Sequence, residues 1–62
     1  MPKTWNADRI KALRSRFNET QEDFARRVGV TFVSVNRWER GKGSPSKLAR
    51  RALEELEARK VQ

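Results

Sequence analysis

The chain has no cysteine and no histidine. Disulfide bonds are therefore excluded, and so are zinc sites built on those ligands. Without histidine or cysteine a nucleophile such as Ser34 lacks a base to activate it, and there is no glycine-rich loop to cradle a phosphate. No apolar run approaches the roughly 20 residues of a membrane span. The opening MPKTWNADR also lacks the apolar core of a secretion signal. These absences lead us to expect a soluble, cytoplasmic protein that is not an enzyme and carries no cofactor or metal. Sixty-two residues make one small domain, which buries only about 60% of the surface its unfolded chain exposes.

What the chain does have is positive charge. Its 15 Lys and Arg outnumber its 8 Asp and Glu, for a net charge of +7 and an isoelectric point near 11.2. In so short a chain that balance favours a polyanionic partner. The distribution is uneven. Arg26, Arg27, Arg37, Arg40, Lys42, Lys47, Arg50 and Arg51 fall between Phe24 and Arg51, where Glu39 is the only acid. Some of these charges also read as ordinary solvated helix faces: Glu22 with Arg26, Asp23 with Arg27 and Glu55 with Arg59 are four apart and can support their helices by a few tenths of a kcal/mol each.

The stretch from Thr20 to Gly41 reads as two short helices joined by a tight turn. Over Gln21–Val28 the apolar residues Phe24, Ala25 and Val28 share one face. Thr20 is placed to cap this helix, and Gly29 to end it in the left-handed conformation that glycine reaches without steric cost. Thr31 offers the next cap. Val35 and Trp38, three apart, then turn inward and leave Phe32, Val33, Asn36, Arg37 and Arg40 outward.

This pattern resembles the helix-turn-helix of XRE-type DNA-binding domains, the family of phage repressors and Cro-like proteins. Apolar residues stand at Phe24, Val28, Val30, Val35 and Trp38, with Ala25 and Gly29 between them. The flanking Arg14, Thr20-Gln21, the Trp38-Glu39-Arg40-Gly41 run and Pro45-Ser46 match as well. The resemblance covers roughly Ile10 to Leu56. It implies an all-α, lambda-repressor-like compact bundle, with four short helices at about 7–17, 21–28, 32–40 and 47–59 where the family usually has five, the whole of 1–62 forming one domain. The missing fifth helix leaves the family's usual dimer contact undefined. The resemblance also implies a partly buried ion pair between Arg14 and Glu39, although by periodicity alone Arg14 reads as an exposed arginine.

Outside the central pair of helices, Asn6 is placed to cap the first helix, with Trp5 and Ile10 as a hydrophobic staple and Ile10, Leu13 and Phe17 as its buried stripe. Asn18 can take the left-handed residue that ends it. Gly41–Ser44 reads as a loop, and Pro45 stops the third helix from continuing. Either Ser44 or Ser46 caps the last helix, with Leu48, Ala52, Leu53 and Leu56 marking its inner face.

The function the resemblance implies is sequence-specific binding of double-stranded DNA by a prokaryotic or phage-encoded transcriptional regulator, a repressor rather than an activator. Helix 32–40 would read the major groove through Phe32, Val33, Ser34, Asn36 and Arg37. Arg37 would donate two bonds to guanine, and apolar Phe32 and Val33 would meet thymine methyl groups. Phe32 can equally pack down on the turn. Gln21, Thr31, Arg40, Lys42 and Lys47 would hold phosphates, with Arg26, Arg27, Arg50 and Arg51 adding to the field. A palindromic operator bound by a homodimer is expected, the two copies meeting through Trp5 and the N-terminal residues, through the outer side of the last helix or through a further partner protein. The alternative is a protein-interaction module on the same fold, such as an antitoxin that binds a toxin, with Phe32 and Val33 as its contact.

Overall fold

The computed structural model describes residues 5–59. It comprises α1 (Ala7–Arg16), α2 (Gln21–Val28), α3 (Phe32–Glu39) and α4 (Lys47–Ala58). No helix among the described residues is long and apolar enough to cross a membrane.

Each helix starts in the same way. The side-chain oxygens of Asn6, Thr20, Thr31 and Ser46 accept the backbone N–H groups of Arg9, Asp23, Ser34 and Ala49, respectively. Each bond satisfies one of the donors that a helix start leaves without an internal partner. Of the two serines open as the last cap, Ser46 takes the role, at 3.2 Å from Ala49 N. Left-handed residues follow the first three helices: Asn18 (φ 55°), Gly29 (φ 90°) and Gly41 (φ 73°). At Gly29 a Cβ would meet nothing within 4 Å, so the demand for glycine there comes from the backbone angle and not from crowding. Helix α2 ends at Val28 as expected, and the other three helices end one residue short of the sequence expectation. Phe17 and Arg40 serve as C-caps, and Arg59 has already turned to an extended conformation.

The core joins Trp5, Ile10 and Leu13 to Phe24, Ala25 and Val28, to Val35 and Trp38, and to Ala49, Leu53 and Leu56, with Phe17, Val30 and Ala52 packed at its edge. Leu48 is a correction. Expected inside, it is 77% exposed, and Ala49 is buried in its place. Leu48 precedes Leu53 by five residues, roughly 140° around the helix at about 100° per residue, whereas Ala49, Leu53 and Leu56 keep the spacing of one face. The larger apolar side chain was on the wrong side.

The three expected four-apart ion pairs are also replaced. Asp23 pairs with Arg26, at 2.7 Å. Arg27 reaches across the connection to Glu19, with bonds of 2.6 and 2.9 Å, and lies over the Phe17 ring. Arg59, extended beyond the helix, forms no ion pair with Glu55. Trp5 is only 2% exposed, with the Arg9 guanidinium 3.7 Å above its ring. The expectation that its indole offers a surface to a second copy is therefore overturned; residues 1–4, which shared that expectation, lie outside the described residues. Arg9 in turn holds the Glu57 carboxylate, and Arg16 donates to the carbonyls of Glu57 and Arg59, so α1 satisfies the open carbonyl end of α4.

Leu53→Ala is expected to cost about 3 kcal/mol, as deletion of fully buried methyl groups does. Leu48→Ala should change stability by less than about 0.5 kcal/mol. Urea unfolding of both variants checks the pair, and equal losses would show Leu48 to be inside.

Candidate nucleic-acid interface

Helix α3 has two unlike sides. Val35, Trp38 and Glu39 are buried, while Phe32 and Val33 are 46% and 60% exposed and Arg37 and Arg40 are open to solvent. Phe32 and Val33 thus place apolar side chains on the first turn of the exposed face, and Arg37 and Arg40 follow one and two turns after Val33 on the same side. Phe32 keeps about half of its surface open, so packing against the turn does not hide it.

The outward face rests on a buried ionic centre. Arg14 of α1 grips Glu39 of α3 with two bonds, Nε to Oε2 at 2.7 Å and Nη2 to Oε1 at 2.9 Å. Its remaining Nη1 donates to the Glu19 carbonyl at 2.9 Å. The Gln21 amide of α2 donates to Glu39 Oε1 at 3.0 Å, and Gln21 Oε1 accepts from Asn36 Nδ2 at 3.1 Å. Burial alone would raise the Glu39 carboxyl, but the bonds from Arg14 and Gln21 outweigh it and hold the group below the usual carboxylate range. The same pair raises the Arg14 guanidinium, the bond from Glu39 prevailing over desolvation.

The candidate base-reading residues thus fall into two groups. Phe32, Val33 and Arg37 are exposed and make no side-chain hydrogen bond among the described residues. Ser34 and Asn36 are half-buried and engaged, Ser34 Oγ lying 3.2 Å from Thr31 Oγ1 and Asn36 bonded to Gln21. Arg37 leans toward the loop, where a Cβ on Gly43 would sit 3.9 Å from its Nη2. With Val30, Ser34, Trp38 and Ser46 it lines an open cleft of about 380 Å³.

The candidate phosphate-holding residues divide in the same way. Gln21 spends its amide on Glu39 and Asn36, and Thr31 spends its hydroxyl oxygen on the Ser34 N–H. Arg40, Lys42 and Lys47 are exposed and form no ion pair among the described residues, as is true of Arg50 and Arg51. Arg26 and Arg27, by contrast, are matched by Asp23 and Glu19. Their acids offset what these two arginines add to the field. The uncompensated cations are therefore concentrated on α3, the loop after it and the first half of α4. The polar network through Gln21 and Asn36 was not visible in the sequence, because it depends on how α2 crosses α3.

Arg14→Met strands the Glu39 carboxylate and should cost about 3 kcal/mol, while Arg14→Met combined with Glu39→Leu should recover most of the loss. Glu39 has a depressed carboxyl in the folded state, so its contribution is complete above the ordinary carboxylate range and is lost as pH falls through the folded value. Urea unfolding between pH 7 and pH 2 should show a steeper acid loss in the parent than in Glu39→Gln.

Comparison with known proteins agrees with this geometry. A family model described as helix-turn-helix matches residues 10–56. The chain is 50% identical over 38 residues to an "Uncharacterized HTH-type transcriptional regulator" of Archaeoglobus fulgidus, an overlap covering 61% of this chain and 54% of that one. It thus spans about half the length of that relative. No solved structure matches it. With a buried α3 flank, a glycine turn at Gly29 and a family model that covers most of its length, the chain belongs to the XRE-type helix-turn-helix family.

Proposed function

We propose that this protein is a sequence-specific double-stranded-DNA-binding transcriptional regulator, acting in the cytoplasm of a prokaryote or on a phage operator, and that it represses by occupying its site. The observation that carries the reading is the division of α3. Its Val35 and Trp38 flank is anchored in the core, its Val33 and Arg37 flank is free, and unpaired Arg40, Lys42 and Lys47 stand beside it. A helix of this kind fits the major groove, where a guanidinium donates two parallel bonds to O6 and N7 of guanine and apolar groups meet the thymine methyl. The name borne by the archaeal relative supports the same reading.

One such helix touches few base pairs. In our reading two copies therefore bind a palindrome, with half-sites about 34–36 Å apart. In our reading the outer side of α4, with its exposed Leu48, is the place for the contact between copies.

A second reading has one observation in its favour. Phe32 and Val33 expose apolar surface at the start of α3, which would equally suit a protein partner such as a toxin. Selection of bound duplexes from a random pool separates the two. A guanine-containing palindrome is expected, with Arg37→Ala weakening discrimination at that guanine by about 1–3 kcal/mol in each half-site. Removing Arg40, Lys42 or Lys47 should weaken binding to all sequences and reduce the slope of log K against log salt by about 0.9 per phosphate lost. Absence of any preferred sequence, together with a partner whose capture is abolished by Phe32→Ala and indifferent to Arg37→Ala, would establish the protein-binding reading instead.

A further inference from the structure

Asn36 is the polar side chain on the outward half of α3 whose orientation is dictated from behind. An ionised carboxylate can only accept hydrogen bonds, so Glu39 obliges Gln21 to turn its NH₂ inward, at 3.0 Å. Gln21 must then turn its carbonyl oxygen toward Asn36. That oxygen is an acceptor, so Asn36 meets it with its own NH₂, at 3.1 Å. Each amide has a single orientation consistent with its neighbour, and the sequence of constraints starts from the Arg14–Glu39 pair, which is 2.7 Å long with Glu39 almost completely buried.

The second consequence concerns which hydrogen Asn36 gives away. Bonding through the hydrogen on the same side as its own carbonyl would draw Asn36 Oδ1 toward Gln21 Oε1, and two acceptors repel. Bonding through the opposite hydrogen avoids this and leaves Oδ1 and the other N–H side by side on the free edge. Trp5 Nε1 is the fully buried side-chain polar atom that lacks a partner among the described residues, so Asn36 Oδ1, which makes no hydrogen bond there, keeps some exposure to solvent. Asn36 lies one turn from both Val33 and Arg40, on their side of the helix.

An acceptor beside a donor is the complement of adenine, which presents N6–H as donor and N7 as acceptor in the major groove. We infer that Asn36 reads an adenine, and that the Gln21 amide, held by Glu39, is the positioning residue that fixes which edge Asn36 shows. This rests on the DNA-binding reading and adds to it a second specificity contact, distinct from that of Arg37. It also gives Gln21 a role other than holding phosphate.

Duplex selection with the full chain tests it. The parent should select an adenine at one position per half-site, favoured roughly tenfold over other bases, as a two-bond contact permits. Asn36→Ala should erase the preference at that position and leave the rest of the consensus unchanged. Asn36→Asp keeps acceptors but has no N–H to give, and should shift the preference from adenine toward cytosine, whose N4 only donates. Gln21→Leu leaves Asn36 and the Arg14–Glu39 pair in place but frees the amide to rotate, and the adenine preference should fall to about twofold or less. In the free protein, nitrogen-edited NMR should show one Asn36 side-chain amide proton slowed in exchange, and Gln21→Leu should abolish the slowing.

A consensus that survives Asn36→Ala intact overturns the inference while leaving the regulator reading standing. A preference lost in Asn36→Ala but untouched in Gln21→Leu overturns the positioning role of Gln21. No consensus in the parent overturns both readings together.

Discussion

The Arg14–Glu39 pair is the constraint on which the placement of the other parts depends. It joins the first helix to the third, uses the third nitrogen of Arg14 to hold the chain between α1 and α2, and collects the Gln21 amide of the second helix on the same carboxylate. Three helices and one connection thus converge on a group almost fully removed from water. A buried charge is tolerated only where its hydrogen-bonding capacity is matched, so each element has to occupy its place for any of them to be at ease. In a domain too small to rely on apolar burial alone, such a centre adds directional bonds where the core supplies only contact. It also lies directly behind the exposed flank of α3, so the rigidity it confers is delivered where an interface needs it.

Much of the fold was legible in the sequence because its signals are local. A cap bonds three residues ahead, a left-handed residue ends a helix within its own turn, and the apolar stripes of α1, α2 and α3 follow the helical period. Thr20, Thr31, Asn18 and Gly29 could therefore be assigned roles from their neighbours alone. The errors arose where residue type was preferred to angular position, or sequence spacing to tertiary reach. Leu48 was placed inside because it is leucine, although its angle around α4 sets it apart from Leu53. Glu22 and Asp23, expected to pair four residues on, yield Arg26 and Arg27 to Asp23 and Glu19, since Arg27 finds Glu19 across a turn that spacing along one helix does not describe.

The candidate site was legible in part. That Phe32, Val33 and Arg37 face outward follows from the inward placement of Val35 and Trp38. That Arg14 meets Glu39 came from resemblance, periodicity having assigned Arg14 to the surface. What no pattern carried was the bonding between Gln21 and Asn36. Both are candidates for direct contact by sequence, and the structure also bonds them to one another. Whether an amide is free or occupied depends on the crossing of two helices, a quantity with no signature in the order of residues along the chain.

The separation of compensated from uncompensated cations has a consequence beyond the contacts themselves. Arg9, Arg14, Arg26 and Arg27 on the first two helices are each paired with an acid, whereas the cations from Arg37 to Arg51 form no ion pair among the described residues and the acids Glu54, Glu55 and Glu57 follow them. Such a molecule carries an electric dipole as well as a net charge. Near a polyanion it experiences a torque, so it rotates into a favoured attitude during diffusion, before any surfaces touch, and more encounters become productive when few mobile ions intervene.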